Sequence, residues 1–383
     1  MDGAASEYGT LAPNTIRLLQ FLPNSTVNDI HVTFVDEFDY TSGRKPYIAL
    51  SYCWGNKDDL RQITMNGCTF DVTANLWQAL STIQQHHRSD IRYYWVDAIC
   101  INQDDLEERN NQVHQMWRIF SNAQWVYAWL GPLTVNVEPI IDLFEREIHH
   151  SMLFRRAQQS PIAIDHVAED PLFQLSTRTT RQAKDVEALL ALASREYFER
   201  VWIITDFLQA PRLKFLIGAY SCEWELLDEV ILSLHDSFDE NCRLGTLDRL
   251  NRTRRTFEAR PTGLELRAQD VVHGCLALYC NSRCSDVRDH LFAMLGHPAV
   301  TMVLNEVDID EELIIVPDYS LTSNELLVIT LRWIDALDHH VPYWVRTVSG
   351  RRNCYRLLAM HLTAHMQRQT LGDGYRTART SCA

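Results

Sequence analysis

The sequence lacks any run of about 18 or more uninterrupted apolar residues, the length that a helix needs to cross a membrane. Its first residues, MDGAASEYGT, also lack the basic start and the apolar run of a secretory signal peptide. These absences argue against a membrane span and against secretion. We therefore expect a soluble, cytoplasmic protein.

Glycine-rich phosphate loops are missing as well, since neither a GxGxxG nor a GK[ST] motif occurs. This argues against a conventional dehydrogenase and against a P-loop ATPase. The 10 cysteines are scattered and lack the CxxC spacing of structural zinc sites, so we expect reduced, buried thiols. A zinc cluster of Cys275, Cys280 and Cys284 with His273 and His290 is the alternative, although helical spacing accounts better for the first two cysteines.

The sequence also has fewer basic than acidic residues. Lys and Arg number 36 against 50 Asp and Glu, which gives a net charge of 36 − 50 = −14. A surface of that sign repels phosphates, so we expect no nucleic-acid partner. The basic run RLNRTRR at residues 249–255 is typical of the solvated face of a helix.

Apolar residues make up 46% of the chain, enough for the core of one large or two medium domains. Buried strands are predicted at Tyr47–Tyr52, Tyr93–Ile101 and Gln124–Gly131, because each is a short apolar run closed by turn residues. Apolar spacing predicts amphipathic helices over 73–84 and 107–123 between them. Strands that alternate with helices predict an α/β fold with a mainly parallel central sheet.

The remaining segments extend this pattern. Thr73 and Asn75 are candidate caps of the first helix. We also expect two paired strands within 15–35, a surface loop at 155–182, a helix at 186–193, a strand at 213–218, and helices at 224–240 and 266–280. The tail after residue 370 is nearly devoid of apolar residues and is predicted to be disordered.

Polar side chains are expected where the first two strands end. Ser51 and Trp54 lie at the end of the first strand, Asp97 lies within the second, and Asn102 and Gln103 follow it. Parallel strands bind ligands at their carboxyl ends, so these residues form a predicted ligand-binding crevice. The alternatives are that the tryptophans belong to the core and that Asp97 supports a loop.

Cys100, beside Asp97, could be a nucleophile, but no histidine can be paired with it from sequence. An inert buried thiol is therefore the preferred interpretation.

Three segments carry a resemblance to a known family. They are YIALSYCWG at 47–55, the segment WVDAICINQDDLEERNNQVHQMWRIFSNAQWVYAWLG at 95–131, and REYFERVWIITDFLQA at 195–210. In this order and at these separations they resemble the signature blocks of the fungal heterokaryon incompatibility (HET) domain. SDVRDHLFAMLG at 285–296 and VPDYS at 316–320 resemble segments of longer HET proteins.

The resemblance implies a fold distantly similar to the Toll/interleukin receptor (TIR) domain, a flavodoxin-like sheet that signals cell death and in some members cleaves NAD. In catalytic TIR domains a glutamate follows a tryptophan by four residues, and Trp202 and Asp206 resemble that pair. HET proteins usually carry Gln-Glu where Thr205 and Asp206 stand here, so the carboxylate is retained but is shorter. Asp206 is therefore either a weakened catalytic residue or a structural one.

The resemblance also implies a domain organisation and two candidate functions. A HET core at 15–220 would precede a mostly helical region at 221–370 and the tail at 371–383. The preferred function is non-self recognition and cell-death signalling, through self-association or a protein partner and with no required cofactor. The alternative is a hydrolase with NAD as its substrate, in which Asp206 is the acid. Its ligand-binding pocket would be shaped by Ser51, Trp54, Asn102 and Gln103, with Trp202 as a further ligand-binding residue.

Overall fold

The computed structural model divides the chain into two compact units that alternate along the sequence. The first comprises residues 1–102, 119–199 and 210–255, and the second comprises 103–118, 200–209 and 256–383. The structure describes residues 8–35, 38–42, 46–85, 93–148, 179–234, 244–258, 282–298, 300–301, 315–322, 325–326, 328–330 and 332. The boundary predicted at residue 220 stays a prediction, and the predicted disordered tail lies outside the described residues.

Strands of the first unit form a large sheet. The strands are β1 Thr15–Ile16, β2 Leu19–Phe21, β3 His31–Phe34, β4 Phe38–Asp39, β5 Tyr47–Tyr52, β6 Leu60–Met65, β7 Cys68–Thr73, β8 Tyr93–Trp95, β9 Trp125–Trp129, β10 Leu213–Ile217 and β11 Tyr220–Glu223. Nine of them pair in the order β11-β10-β9-β5-β8-β2-β3-β6-β7, whereas β1 and β4 pair with each other. The predicted α/β class is confirmed.

The sheet is mixed, so the prediction of a mainly parallel sheet is not confirmed. Four neighbouring pairs are parallel: β10 with β9, β9 with β5, β5 with β8, and β3 with β6. The other four neighbouring pairs are antiparallel. The strand-helix alternation correctly indicated the parallel centre. The antiparallel pairs arise because β2 inserts between β8 and β3 and because hairpins close both ends of the sheet, which local periodicity does not report.

One predicted strand is partly wrong. The apolar run Tyr93–Ile101 forms strand β8 only as far as Trp95, and Asp97–Cys100 then makes a short helix. The Cys100 N–H donates to the Val96 carbonyl at 2.7 Å, which closes the helical turn. A short apolar run does not distinguish a buried strand from a buried helical turn. Asp97 therefore begins a helix after the strand instead of lying within it.

The β6–β7 hairpin was not predicted, although the sequence carries its signal. Asn66 and Gly67 join the two strands with φ of 51° and 85°. Two successive residues with positive φ form the type I′ turn that matches the twist of a hairpin, and Asn-Gly is its preferred dipeptide. The first three residues of β6 are exposed, and its buried residues Ile63 and Met65 are isolated apolar positions, so β6 contains no continuous apolar run.

The structure describes helices in both units. They are α1 Ala74–Gln85, α2 Asp97–Cys100, α3 Leu106–Asn122, α4 at 139–148, α5 Thr179–Ala193, α6 Ile203–Gln209, α7 Trp224–Ser233, α8 Gly245–Glu258 and α9 Asp289–Leu295. In the first unit, α1 packs on β6 and β7, and α7 packs on β10 and β11. In the second unit, α6 packs on α9.

Most of the predicted helices are confirmed. Two further predictions, one of a loop and one of a helix, fall largely on residues outside the described part of the chain. The predicted surface loop at 155–182 lies outside the described residues except for 179–182, which begin α5. The helix predicted at 266–280 also lies outside them. Among the helices that the structure describes, none combines the length and apolar character needed to cross a bilayer.

Candidate functional site

A cavity of about 540 Å³ lies in the first unit, beside the carboxyl ends of the parallel strands β5 and β9. Its volume falls within the range of small-molecule sites. Its walls come from the loops after the two strands and from the end of α5, and its lining consists of Cys53, Gly55, Asn75, Trp129, Leu130, Gly131, Pro132, Thr134, Asn136, Val137, Ala191, Ser194, Arg195, Glu196 and Tyr197.

Asn75 ties the two strand ends together. Its Nδ2 donates to the Cys53 carbonyl at 2.6 Å, and its Oδ1 accepts from the Trp129 indole Nε1 at 2.9 Å. Both halves of the amide are therefore used, and the Trp129 ring is fixed in the wall. Of the two predicted helix caps, only Thr73 has that role, since its Oγ1 accepts from the Leu76 N–H at 3.4 Å.

Arg195 places a cation at the same edge. Its NH1 donates to the Leu130 carbonyl at 2.6 Å, and its NH2 donates to Thr134 Oγ1 at 3.2 Å. Gly131, with φ of 92°, makes room for the guanidinium, because a Cβ there would lie 3.0 Å from Arg195 NH1. Burial lowers the pKa of Arg195, as expected for a partly desolvated charge.

Tyr197 forms another part of the wall and is only 2% exposed. Its hydroxyl lies 3.0 Å from Ser51 Oγ, and either group can donate. Ser51 is also buried, at 1% exposed. This predicted site residue therefore supports a wall residue of the cavity without lining the cavity itself.

The predicted residues Trp54 and Asp97 are brought together. The Trp54 indole Nε1 donates to Asp97 Oδ2 at 2.9 Å, and Asp97 Oδ1 accepts from the Ala98 N–H at 2.7 Å. Lys57 Nζ lies 5.6 Å from the centroid of the Trp54 ring. Like Asn102, these two residues belong to the first unit but do not line the described cavity. Asp97 joins the turn after β5 to α2, which agrees with its predicted supporting role.

The turn around Cys100 is held by the segment that precedes β2. Arg17 NH1 donates to the Cys100 carbonyl at 3.1 Å, and the Tyr8 hydroxyl donates to the Ile99 carbonyl at 2.9 Å. Burial raises the pKa of the Cys100 thiol to about 12, so the thiol is protonated at neutral pH. This supports the inert interpretation over the nucleophilic one.

Asp206 and Trp202 lie in the second unit, as does Gln103. Asp206 is on α6 and is only 3% exposed. Its neighbour Thr205 donates from Oγ1 to the Ala293 carbonyl at 3.0 Å. Gly296 comes so close to α6 that a Cβ there would lie 2.6 Å from Thr205 Oγ1. The Thr205-Asp206 pair is therefore part of the packed interior of this unit.

Trp202 hydrogen-bonds to the Asp289 carboxylate. The same carboxylate accepts from the Tyr319 hydroxyl, with 2.7 Å between Tyr319 OH and Asp289 Oδ1. Burial raises the pKa of Asp289 to about 6, although both hydrogen bonds act in the opposite direction. Asp289 is not among the predicted site residues, although it lies in one of the two additional segments that resemble longer HET proteins.

Those two additional segments, 285–296 and 316–320, bind each other. Arg288 NH1 donates to the carbonyls of Tyr319 at 2.7 Å and Leu321 at 2.6 Å. The Phe292 and Tyr319 rings meet edge to face with centroids 5.2 Å apart. Asn110 of α3 accepts from the Tyr319 N–H at 3.2 Å. Segment 316–320 is thus held from α9 and from α3.

Cys284 has a histidine as its hydrogen-bond partner. Cys284 Sγ lies 3.0 Å from His290 Nδ1, and His290 Nε2 lies 3.0 Å from the Ser282 carbonyl. Because a carbonyl only accepts, His290 donates from Nε2 and Nδ1 accepts from the thiol. Among the described residues, no three His, Cys, Asp or Glu side chains are grouped as a metal would require. The other members of the alternative zinc cluster, Cys275, Cys280 and His273, lie outside those residues.

Residues 47–206 match the family model described as Heterokaryon incompatibility protein (HET). This chain contains a HET domain. The resemblance drawn from the three signature segments is thereby confirmed. The HET match begins with β5 and ends at Asp206, so it includes all the predicted site residues and all the residues that line the cavity.

A named relative agrees with the HET assignment. The chain is 29% identical over 235 residues to heterokaryon incompatibility protein 6, OR allele, of Neurospora crassa. The match covers 54% of this chain and 34% of the relative, so the chain spans about a third of the relative's length. No solved structure matches the HET chain.

Proposed function

We propose that this HET-domain chain acts in fungal non-self recognition and triggers programmed cell death, by self-association or by binding a protein partner in the cytoplasm. The match of residues 47–206 to the HET family carries the proposal. The Neurospora crassa relative, which is named as a heterokaryon incompatibility protein, supports the same role. No cofactor is part of this proposal.

The surroundings of Asp206 support signalling without catalysis. Catalysis at a sugar would need a carboxylate that reaches the substrate, and an ångström of misplacement can lose about a hundredfold in rate. Asp206 is 3% exposed on a helix whose residues Ile203–Leu208 are all buried. Trp202, the other residue of the TIR-like pair, uses its indole to bind Asp289. Both residues thus have roles within the packing of the second unit.

NAD hydrolysis is the alternative function. The observation in its favour is that a carboxylate is retained four residues after Trp202, where the resemblance to catalytic TIR domains places the essential glutamate. Under this alternative Asp206→Glu restores the reach of the side chain and raises NAD cleavage, whereas Asp206→Asn abolishes it.

The experiment expresses the wild-type chain, Asp206→Asn and Asp206→Glu in a fungal host and measures cell death together with cellular NAD. We expect all three folded proteins to kill equally and to leave NAD unchanged, since a module that signals by association needs no carboxylate chemistry at this position. Asp71→Asn, which removes an exposed carboxylate from β7, is the matched control for the loss of one negative charge.

Because Asp206 is buried, each variant must first be shown to unfold at the wild-type temperature, since removing a buried partner can destabilise the domain. NAD loss in the wild type that disappears in a folded Asp206→Asn protein would overturn the signalling proposal in favour of the hydrolase.

A further inference from the structure

Among the described residues, no carboxylate forms an ion pair with Arg195, a cation that lines the cavity of the first unit. Arg195 is half-buried and donates to a backbone carbonyl and a hydroxyl. The ion pairs of the described chain involve other residues. Glu196 also lines the cavity but is exposed, so water and salt screen its charge. A partly desolvated guanidinium in an open cavity favours an anion.

The guanidinium is held in a fixed orientation before any ligand arrives. Two of its five N–H donors are used, one on the Leu130 carbonyl and one on Thr134 Oγ1. Thr134 is itself fixed, since its Oγ1 donates to Asn136 Oδ1 at 2.6 Å. The flat fork of an arginine matches the oxygens of a carboxylate or a phosphate and can bind two of them at once.

The cavity also has fixed walls and room beyond the size of a bare ion. Trp129 and Tyr197 form part of its wall, and each ring is fixed through its polar atom, Trp129 by Asn75 and Tyr197 by Ser51. Each of the two residues is only 2% exposed, so the rings keep the shape of the cavity without presenting much surface of their own. A volume of about 540 Å³ holds a small organic molecule and is much larger than a phosphate ion needs.

We propose that this cavity binds a small organic oxyanion, with Arg195 on its phosphate or carboxylate group and with its organic part in the remaining space of the cavity. The proposal goes beyond the incompatibility function and does not depend on it. Gly131 is a positioning residue of this site, because any side chain there would meet the guanidinium.

The first experiment titrates the purified full chain with 1-naphthyl phosphate, 1-naphthoate, 1-naphthol and inorganic phosphate by calorimetry. At least one of the naphthyl anions should bind about tenfold or more tightly than neutral naphthol, because a charge-assisted bidentate contact supplies that difference. The two naphthyl anions decide between phosphate and carboxylate. Inorganic phosphate should bind more weakly than naphthyl phosphate, since it lacks the ring. Equal affinity for the anions and naphthol would overturn the proposal.

Variants of the chain then test whether the preference for the anion over naphthol comes from the cavity. Arg195→Met should reduce the affinity for the preferred anion to that for naphthol. Lys184→Met removes an exposed cation from α5 away from the cavity and should bind as the wild type does. Glu196→Gln should bind the anion as tightly or more tightly.

Since Arg195 also holds Leu130, Ala191→Leu is a second test that leaves the cation in place and fills the cavity. It should weaken all three naphthyl ligands about tenfold or more, by excluding the ring from the space it occupies. A folded Arg195→Met protein that still prefers the anion, or wild-type binding by Ala191→Leu, would contradict the assignment.

Discussion

Phe120→Ala is expected to lower the free energy of unfolding by about 3 to 5 kcal/mol, the usual cost of removing a buried aromatic ring. Phe120 is 1% exposed, and its ring meets that of Trp95 edge to face with centroids 5.5 Å apart. Trp95 ends β8 and is fully buried. The substitution therefore opens a cavity between the last turn of α3 and the central sheet, beside the turn that holds Asp97.

Urea titration followed by circular dichroism measures the loss, and Asn111→Ala is the matched control. Asn111 is exposed on the same helix, so its change should stay within about 0.5 kcal/mol. Helical spacing places Val113, Met116 and Phe120 on one face of this helix; Met116 and Phe120 are buried, whereas Val113 is half-buried. An unchanged urea midpoint for Phe120→Ala would mean that this face of α3 contributes no packing energy.

The centre of the sheet could be predicted because its strands are short, apolar and bounded by turn residues. All six residues of β5 are buried, and the predicted bounds of this strand are those observed. The place of β2 within the sheet could not be predicted in the same way. Its pairing with β3 is local and agrees with the two paired strands expected within 15–35, but it also pairs with β8, which is distant in sequence. Pairing of that kind depends on which chain segments meet during packing, and residue periodicity carries no record of it.

The candidate site was only partly accessible to sequence reasoning. Parallel topology predicts a ligand site at the carboxyl end of β5, and the cavity lies beside that strand end. The residues expected to shape it were chosen for polar side chains near two strand ends. The structure instead lines the cavity with Asn75 and Arg195, whose anchors are the backbone carbonyls of Cys53 and Leu130. Backbone acceptors are the same for every residue type, so the sequence gives no sign of them.

Two buried groups of the second unit make the stability of the protein depend on pH in opposite directions. Burial raises the pKa of Asp289 to about 6 from its ordinary 3.8, and burial lowers the pKa of His297 to about 4 from its ordinary 6.5. Both side chains are nearly inaccessible, with 8% and 3% of the residue exposed. Their titration ranges overlap and their effects on the free energy of unfolding have opposite signs, so the two contributions largely cancel in the wild-type protein.

The sign of each contribution follows from which state holds the proton. As pH rises from about 4 to 6, unfolded Asp289 releases its proton while the folded carboxyl keeps it, so about 3 kcal/mol of stability is lost. As pH falls from about 6.5 to 4, His297 binds a proton in the unfolded chain but not in the folded protein. The free energy of unfolding therefore falls by about 3 kcal/mol over this range.

Single substitutions should therefore tilt the pH profile in opposite directions. Relative to the wild type, Asp289→Asn should gain unfolding free energy as pH rises from 4 to 6, because it removes the loss caused by the carboxyl while keeping an oxygen for Tyr319. His297→Gln should lose unfolding free energy relative to the wild type over the same range. Urea midpoints at half-unit pH steps give both differences, and a constant offset from repacking does not alter their slopes. Two flat difference curves would show that neither group is desolvated in the folded protein, whereas slopes of opposite sign would locate both groups in an interior that water does not reach.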